Sequence, residues 1–308
     1  MSFSADLKSE IISKKIKKPC CKLAALSAFI RTSGSILTKG KKIGFNFVCE
    51  ADVAEFFQSI IEKLYGERSK KETDKSGRVK ITCLSDTSFN ILVDAKIIEI
   101  SGEGISVRLD IDDGLVENEC CLSAFIIGAF LGSGSVTVPT IDKTKTTGYH
   151  LEVVFSKYVT AGDFADLLSR KGFLPKTVER KDNFVVYLKN AEEISDFIAM
   201  LGANKSYLSL TDILIKKEVR NEENRKLNCE MSNLSKQIDA FLKTREEIYL
   251  IEESIGLDAL GEALKSVCLA RLENEDASLS ELADILGVTK SCLNHRLRKI
   301  SEIAKNLR

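Results

Sequence analysis

The 308-residue sequence has no tryptophan and only two histidines, so a histidine-based metal centre has few ligands to draw on. It also lacks any apolar run of the about 18 residues that a membrane-spanning helix requires. The N-terminal residues alternate charged and apolar side chains and lack the apolar core of a signal peptide. These absences predict a cytoplasmic protein with no membrane partner. The length predicts two or three domains.

Cysteine occurs nine times, but never in the C-x-x-C spacing of zinc and redox motifs. Two pairs are adjacent in sequence, and adjacent cysteines rarely share one zinc ion or bridge each other. We therefore predict buried, reduced thiols, with no metal site and no cofactor. The nine are Cys20, Cys21, Cys49, Cys83, Cys120, Cys121, Cys229, Cys268 and Cys292.

The formal net charge is zero, because 45 basic residues balance 45 acidic ones. The balance is uneven along the chain: the last 22 residues contain one acid, Glu302, against Lys290, Arg296, Arg298, Lys299, Lys305 and Arg308. A local basic face on a neutral chain is typical of a nucleic-acid contact. A solvated terminal helix shows the same pattern, so charge alone leaves both interpretations open.

Residues 20–36 and 120–136 are two copies of one pattern, 100 positions apart, sharing two cysteines, an alanine and a Ser-Gly-Ser run. Strand-like segments with one apolar face and helix-like segments follow each copy. The first copy has GFNFVCE, a helix over 52–65, RVKITCL and a helix near 86–100, and the second has YHLEVVFSK, a helix near 161–172, NFVVYLK and a helix over 191–201. Polar stretches at 69–78 and 137–148 predict hairpin or loop excursions.

Small residues recur at every fourth position of both repeated helices: Ala24, Ala28 and Thr32 in the first, and Ala124, Gly128 and Gly132 in the second. Such residues form one smooth stripe on a helix, where another backbone can approach closely. The stripes pack either on a sheet or on each other about a pseudo-twofold axis. Because the stripes match in the two copies, we favour the second arrangement.

A pair of helices packed in this way, each opening an αββαββα half, resembles the LAGLIDADG homing endonuclease scaffold. In that family the helices end in acids that hold divalent metals for phosphodiester cleavage, which needs hard oxygen ligands. The resemblance puts the metal-binding acid at Ser33 and Ser133, and the less critical acid at Arg31 and Leu131. Serine is neutral and a poor magnesium ligand. The resemblance therefore implies a scaffold without catalysis and without a catalytic metal.

Asp110, Asp112 and Asp113 form a separate acidic cluster in the connection between the two copies. A metal site there is conceivable, but the second copy has no matching cluster. We predict a solvated turn.

The segment SLSELADILGVTKSCLNHRL predicts a helix-turn-helix. Ser278 or Ser280 caps its first helix, Gly287 supplies the left-handed turn, and Thr289 caps the second helix. The predicted core is Leu282, Leu286, Val288, Leu293, Leu297, Ile300 and Ala304, with the small Ala283 where the helices cross. One core position of the usual pattern falls on Arg296, which predicts a rotated or longer second helix.

If the second helix enters the major groove, one side of it can reach base edges. That side holds Lys290, Ser291, Asn294, His295 and Arg298. Asn and Arg offer bidentate hydrogen bonds to adenine and guanine, whereas Lys290, Arg296 and Lys299 suit phosphate contacts. With Thr289 at the start of the helix, these residues form the predicted DNA-binding site. The alternative is a helical hairpin that packs on the first domain.

Together the two halves resemble the WhiA family of DNA-binding regulators from Gram-positive bacteria. The resemblance covers nearly the whole chain, including IGAFLGSGSV, RNEENRKLNCEMSNLSK and LADILGVTKSCLNHRLRKI. It implies an α+β fold class, with a duplicated αββαββα domain followed by an all-α helix-turn-helix domain. The predicted boundaries are 1–213 (repeats about 15–105 and 115–210), a linker at 214–228, and 229–308 with the helix-turn-helix at 278–300.

The resemblance implies a non-catalytic transcriptional regulator of sporulation or cell division that binds double-stranded DNA and associates with the nucleoid. Residues 225–236 would enter the helix-turn-helix domain and contact either the DNA backbone or the domain interface. Two other functions stay open: a platform whose N-terminal domain docks a transcription-factor or division-protein partner, and a residual endonuclease.

Overall fold

The computed structural model describes residues 2–102, 104–139 and 148–308. The chain divides into two compact units, Met1–Lys217 and Glu218–Arg308. The first unit mixes helices with two four-stranded sheets, and the described part of the second is helical throughout. The predicted fold class is therefore confirmed. Among the described residues, no helix combines the length and apolarity that a bilayer crossing demands.

The first copy follows an N-terminal helix, α1 (Phe3–Ser13), which the sequence pattern did not predict. Its elements are α2 (Pro19–Ser33), β1 (Gly34–Lys39), β2 (Lys42–Cys49), α3 (Ala51–Tyr65), β3 (Lys70–Thr73), β4 (Val79–Cys83) and α4 (Asp86–Asp94). The four strands form an antiparallel sheet in the order β1-β2-β4-β3. A hairpin of β5 (Ile98–Ser101) and β6 (Gly104–Val107) and a short helix, α5 (Asp113–Val116), lead to the second copy.

The second copy repeats the order of the first. It contains α6 (Glu119–Ser133), β7 (Ser135–Thr137), β8 (His150–Phe155), α7 (Tyr158–Arg170), β9 (Lys176–Arg180), β10 (Asn183–Leu188) and α8 (Ala191–Met200). Its sheet has the order β7-β8-β10-β9, which matches the first sheet strand for strand. Both copies therefore have the predicted αββαββα order. The predicted excursion at 137–148 lies mostly outside the described residues, and the one at 69–78 contains β3 and a turn into β4.

The remaining helices are α9 (Asn204–Ile255), α10 (Glu262–Glu273), α11 (Leu279–Ile285) and α12 (Lys290–Asn306), with a 3₁₀ turn at Leu257–Ala259. The division after Lys217 falls inside α9, and so does the stretch 214–228. That stretch, predicted as a linker, is helical. The early part of α9 contributes Leu210 to the core of the first unit, and its last turns contribute Ile248 and Ile251 to the core of the second.

Alternation of side chains explains which face of each sheet is buried. In β2, Phe45, Phe47 and Cys49 are buried while the residues between them are half-exposed. Residues Leu151, Val153 and Phe155 bury the equivalent face of β8. Successive side chains of a strand point to opposite faces, so one face of each sheet covers the core and the other stays open.

Helices α2 and α6 pack against each other through their small-residue stripes. A Cβ atom added at Gly128 would lie 2.1 Å from the carbonyl oxygen of Ala25, and one at Gly132 would lie 2.0 Å from Oγ1 of Thr32. No side chain fits at that separation, so the glycines are what allow the two backbones to meet. The arrangement favoured from the sequence is confirmed, and we call these two helices the helix pair.

One predicted helix, near 86–100, is wrong in its extent. Helix α4 ends at Asp94, and Ile98 already belongs to β5. Lys96 takes a left-handed conformation (φ 55°), and the amide of Ile97 donates to the carbonyl of Leu92 at 2.9 Å. These features form a Schellman-type helix end. Because a lysine occupies the position that usually holds glycine, no residue type there signals that the helix stops.

Candidate nucleic-acid interface

The helix-turn-helix begins with a capping box on α11. The amide of Glu281 donates to Oγ of Ser278 at 3.3 Å, and the amide of Ser278 donates to Oε2 of Glu281 at 2.8 Å. Of the two serines considered, Ser278 is therefore the cap. Gly287 has a φ of 62°, which a side chain would resist. Thr289 follows the turn, and its Oγ1 accepts a hydrogen bond from the amide of Cys292 at 3.2 Å and so caps α12.

The buried stripe of α12 fixes the rotation of the helix about its own axis. Leu293, Ile300 and Ala304 are buried against a core that includes Leu282 and Ala283 from α11. The predicted core positions Leu286, Val288 and Leu297 are only half-buried at its edge. The side of α12 opposite this stripe must therefore face solvent.

The solvent side of α12 carries most of the predicted DNA-contacting residues. We call it the recognition face, and it consists of Lys290, Ser291, Asn294, His295, Arg298 and Lys299. All are exposed except Asn294, which is half-buried. Within residues 2–102, 104–139 and 148–308, no ion pair involves Lys290, Arg298 or Lys299. Their positive charge is thus available to a ligand.

Two predicted site residues are engaged inside the protein itself. The hydroxyl of Thr289 serves as the helix cap. Arg296 is half-buried, and its Nη1 donates to the carbonyl of Ala263 at 3.4 Å. Arg296 thus links α12 to the start of α10, in keeping with its place on a core position of the motif. Its contact with phosphate stays a prediction.

Two buried charged residues support this unit, and the sequence pattern did not single them out. Arg271 is only 4% exposed, donates to the carbonyl of Ala277 at 2.6 Å and lies 4.9 Å from the centroid of the Phe241 ring. Burial lowers the pKa of this guanidinium. Glu247, 6% exposed, accepts from Oγ of Ser301 on α12 at 2.9 Å. Both lie four residues from a buried apolar residue on the same helix, a spacing that signals an inward position.

Arg271 positions the entry to the recognition motif. The carbonyl of Ala277 belongs to the loop directly before the cap residue of α11. The guanidinium of Arg271, on α10, binds this carbonyl and so fixes the position at which α11 begins. The position of α11 in turn sets the position of the turn and of α12. A charged group is rarely buried without such a partner.

In the first unit, the two serines predicted to stand in place of metal-binding acids are hydrogen-bonded to main chain. Ser33 donates from Oγ to the carbonyl of Phe29 in its own helix at 2.9 Å. Ser133 instead donates to the carbonyl of Val154 on β8 at 2.7 Å and accepts from the amide of Val154 at 3.1 Å. Each hydroxyl therefore has a packing role at the end of the helix pair, and the two roles differ.

The acidic connection predicted to be a solvated turn contains an ion-pair network, in which the Asp110 side chain keeps 48% of its exposure and that of Asp112 keeps 24%. Arg108 donates to both Asp110 and Asp112, at 2.6 Å in the second case, and only Asp113 is exposed. These bonds to Arg108 lower the pKa of the Asp110 carboxyl. Asp163 on α7 accepts from the amide of Ile111 at 2.7 Å.

Arg31 ties the same connection to the helix pair. Its guanidinium donates to the carbonyls of Arg108 at 2.9 Å and Lys96 at 2.5 Å. Burial lowers its pKa to about 10, against the opposing influence of Asp110. Arg31 thus clamps α2 to the segment that joins the two copies.

Comparison with protein families identifies three consecutive matches. Residues 19–83 match the WhiA N-terminal LAGLIDADG-like domain, residues 122–220 the WhiA LAGLIDADG-like domain, and residues 224–304 the WhiA C-terminal HTH domain. The resemblance inferred from the sequence is confirmed by these matches.

Individual relatives agree over the full length. A probable cell division protein WhiA of Bacillus licheniformis is 37% identical, with 100% of this chain and 98% of the relative covered. The protein of the same name from Bacillus subtilis gives the same identity and coverage. The crystal structure of full-length DUF199/WhiA from Thermotoga maritima has a TM-score of 0.61 at 23% identity and 99% coverage of both chains, which supports the fold.

Proposed function

The chain belongs to the WhiA family, and from that premise we propose that it is a non-catalytic, sequence-specific DNA-binding regulator. Its target genes would serve cell division or sporulation, and the protein would associate with the nucleoid. The name of its relatives, probable cell division protein, supports the first part of that assignment. The proposal is carried by one observation, the unpaired cationic recognition face of α12.

The recognition face has the layout that major-groove reading requires. Ser291, Asn294, His295 and Arg298 follow the three- and four-residue spacing of a single helix side, opposite the buried stripe. A second helix of this motif lies in the major groove with its N-terminal part against the base edges. Lys290 and Lys299 flank that side, where phosphate oxygens border the groove.

We assign base reading to Asn294 and Arg298 because their side chains form bidentate hydrogen bonds with adenine and guanine, respectively. The lysines, as flexible point charges, neutralise phosphates without selecting sequence. Half-burial of Asn294 favours its role, since a side chain with restricted rotamers loses less entropy on binding.

Chromatin immunoprecipitation with sequencing, in cells that carry either the natural chain or the Asn294→Ala/Arg298→Ala double variant, tests this function. We expect discrete peaks with a shared sequence motif for the natural chain and their loss for the double variant. Lys265→Ala is the matched control, because the charge of Lys265 is already paired with Asp258 at 2.5 Å. An unchanged peak set in the double variant would contradict the assignment to α12.

The absence of catalysis is tested with supercoiled plasmid in magnesium or manganese. We expect no nicked or linear product, because the hydroxyls of Ser33 and Ser133 are bonded to main chain and the acids Asp110 and Asp112 are paired with Arg108. Metal-dependent cleavage that persists in Ser33→Ala/Ser133→Ala would reveal an endonuclease with other ligands.

A further inference from the structure

The two pairs of adjacent cysteines meet at the start of the helix pair. Cys20 and Cys21 occupy the second and third positions of α2, and Cys120 and Cys121 occupy the same positions of α6. The glycine contacts described above join equivalent stretches of the two helices, so the helices run in the same direction and their first turns adjoin. Cysteines 100 residues apart in sequence therefore come together, and Cys20 and Cys120 are exposed, whereas the sequence predicted buried thiols without a metal site. That prediction considered each adjacent pair alone and not two pairs brought face to face by the helix pair.

Three of the four sulfurs lie at distances that suit a metal site, and Cys120 lies beside this group of three. Sγ of Cys21 lies 4.0 Å from Sγ of Cys121, and the sulfurs of Cys20, Cys21 and Cys121 all lie within 4.8 Å of one another. Cys120 lies close enough to interact with both Cys21 and Cys121. A tetrahedral zinc ion with Zn–S bonds of about 2.3 Å holds its sulfurs about 3.8 Å apart. The Cys21–Cys121 separation is within a few tenths of an ångström of that edge.

We propose that Cys20, Cys21, Cys120 and Cys121, the thiol cluster, bind one thiophilic metal ion, for which Zn²⁺ fits the spacing of the sulfurs. Soft thiolate ligands select zinc, Cu(I) or iron–sulfur centres over magnesium or calcium. Four protein ligands leave no open position for substrate, so the site is structural. The ion would pin the first turns of α2 and α6 together, at the opposite end of the helix pair from Ser33 and Ser133.

The surroundings of the thiol cluster favour thiolates once a metal is present. Both helices direct the positive end of their dipole at the sulfurs, because the cysteines lie in the first turn of each. The ammonium of Lys18 lies 3.7 Å from Sγ of Cys120.

The members of the thiol cluster differ in exposure: Cys21 and Cys121 are buried, and Cys20 and Cys120 are exposed. Zinc binds cysteine as the thiolate, so we expect binding to release protons and to become tighter as the pH rises. The exposed Cys20 and Cys120 are the points through which an ion would enter.

The experiment uses the full-length chain, reduced and stripped of metal, titrated with Zn²⁺ against a chromophoric chelator. The test variant is Cys20→Ser/Cys120→Ser, which changes only exposed thiols and leaves the buried core intact. The matched control is Cys229→Ser, an exposed cysteine on α9. We expect one zinc ion per natural chain and the same zinc affinity in the control. In the test variant the zinc affinity should fall at least about 100-fold, because the loss of even an outer-shell partner lowers metal affinity 10–100-fold.

Cobalt substitution and thermal melting give independent readouts. Co²⁺ should produce thiolate-to-metal charge-transfer absorption in the natural chain and in Cys229→Ser, but not in the test variant. Zinc should raise the melting temperature of the natural chain, because it binds only the folded site. No zinc binding, equal affinity in the test variant, or a Cys21–Cys121 disulfide in protein isolated anaerobically would each overturn the proposal.

Discussion

The helix pair and helix α12 differ in how much of their surface is buried. Helix α6 is buried on nearly every side: nine of its 15 residues are buried. Helix α12, with 17 residues, buries only Leu293, Ile300 and Ala304. A change of side chain in the helix pair meets a backbone or a packed ring, whereas a change on the recognition face of α12 meets water. Substitutions in the helix pair therefore affect the packing of the fold, whereas substitutions on the recognition face change the surface without disturbing the core.

This difference explains why the packing of the helix pair does not depend on which residues occupy the ends of its helices. The packing of α2 on α6 depends on Ala25, Gly128, Thr32 and Gly132, whose contacts are close approaches to backbone or small side-chain atoms. Ser33 and Ser133, at the ends of the two helices, lie outside that contact. The two serines have different local partners, so the two helix ends are not equivalent.

The strongest test of the comparison is one substitution made in two helices. Gly128→Ala places a Cβ atom 2.1 Å from the carbonyl oxygen of Ala25, so the helix pair must separate. We expect a loss of about 2–3 kcal/mol or more in the free energy of unfolding of the first unit. Circular dichroism during chemical denaturation measures it.

Gly162→Ala, inside α7, is the matched control. A Cβ at Gly162 meets nothing within 4 Å, so alanine should stabilise the helix by about 0.5–1 kcal/mol. Opposite signs for the two changes would confirm that backbone contact, and not helix propensity, governs the helix pair. Equal stabilities of Gly128→Ala and the natural chain would show that the interface tolerates separation.

On the surface helix, the largest expected effect concerns base reading. Asn294→Ala and Arg298→Ala should each lose about 1–3 kcal/mol of binding free energy on the preferred duplex and relax its sequence preference. Neither change should alter the melting temperature, because both side chains lie off the buried stripe. Fluorescence anisotropy on specific and scrambled duplexes makes the measurement. Equal losses on both duplexes would reduce α12 to a phosphate clamp.

The two serines at the ends of the helix pair offer a finer comparison. Ser133→Ala removes a donor and an acceptor that satisfy the main chain of Val154, so we expect it to cost about 1–2 kcal/mol of unfolding free energy. Ser33→Ala removes only a bond to a carbonyl of its own helix and should change stability by less than about 0.5 kcal/mol. Thermal denaturation of both variants tests the difference. Similar losses would mean that the two ends of the site are still equivalent.

Much of this architecture could be predicted because its determinants are local. Apolar alternation indicated the strands, the small-residue stripes indicated the helix pair, and Ser278, Gly287 and Thr289 marked the helix-turn-helix. The end of α4 could not be predicted, because Lys96 adopts a left-handed conformation without a glycine to signal it. The linker interpretation of 214–228 rested on its mixed charge, yet a charged surface suits a helix equally well.

Long-range partners were the other part that sequence patterns did not reveal. Arg31 bonds to carbonyls 65 and 77 residues away, and no spacing rule connects those positions. The thiol cluster is a different case. The alignment of the two copies equates the two cysteine pairs, and the small-residue stripes place the helices side by side. Taken together, these two inferences predict that the four thiols lie at one end of the helix pair.

The smallest expected effect separates the edge of the recognition face from its centre. Lys299 is exposed beside Arg298, and we expect its ammonium to contact phosphate and not base edges. Lys299→Ala should weaken binding to specific and scrambled duplexes equally and reduce the slope of log K against log salt by about one counterion. Lys265→Ala, whose charge is already paired with Asp258, should leave the slope unchanged. A salt series on both duplexes measures these slopes. If Lys299→Ala lowered affinity for the specific duplex alone, Lys299 would contact a base. It would then belong with Asn294 and Arg298 among the base-contacting residues of α12, and not among the phosphate-contacting ones.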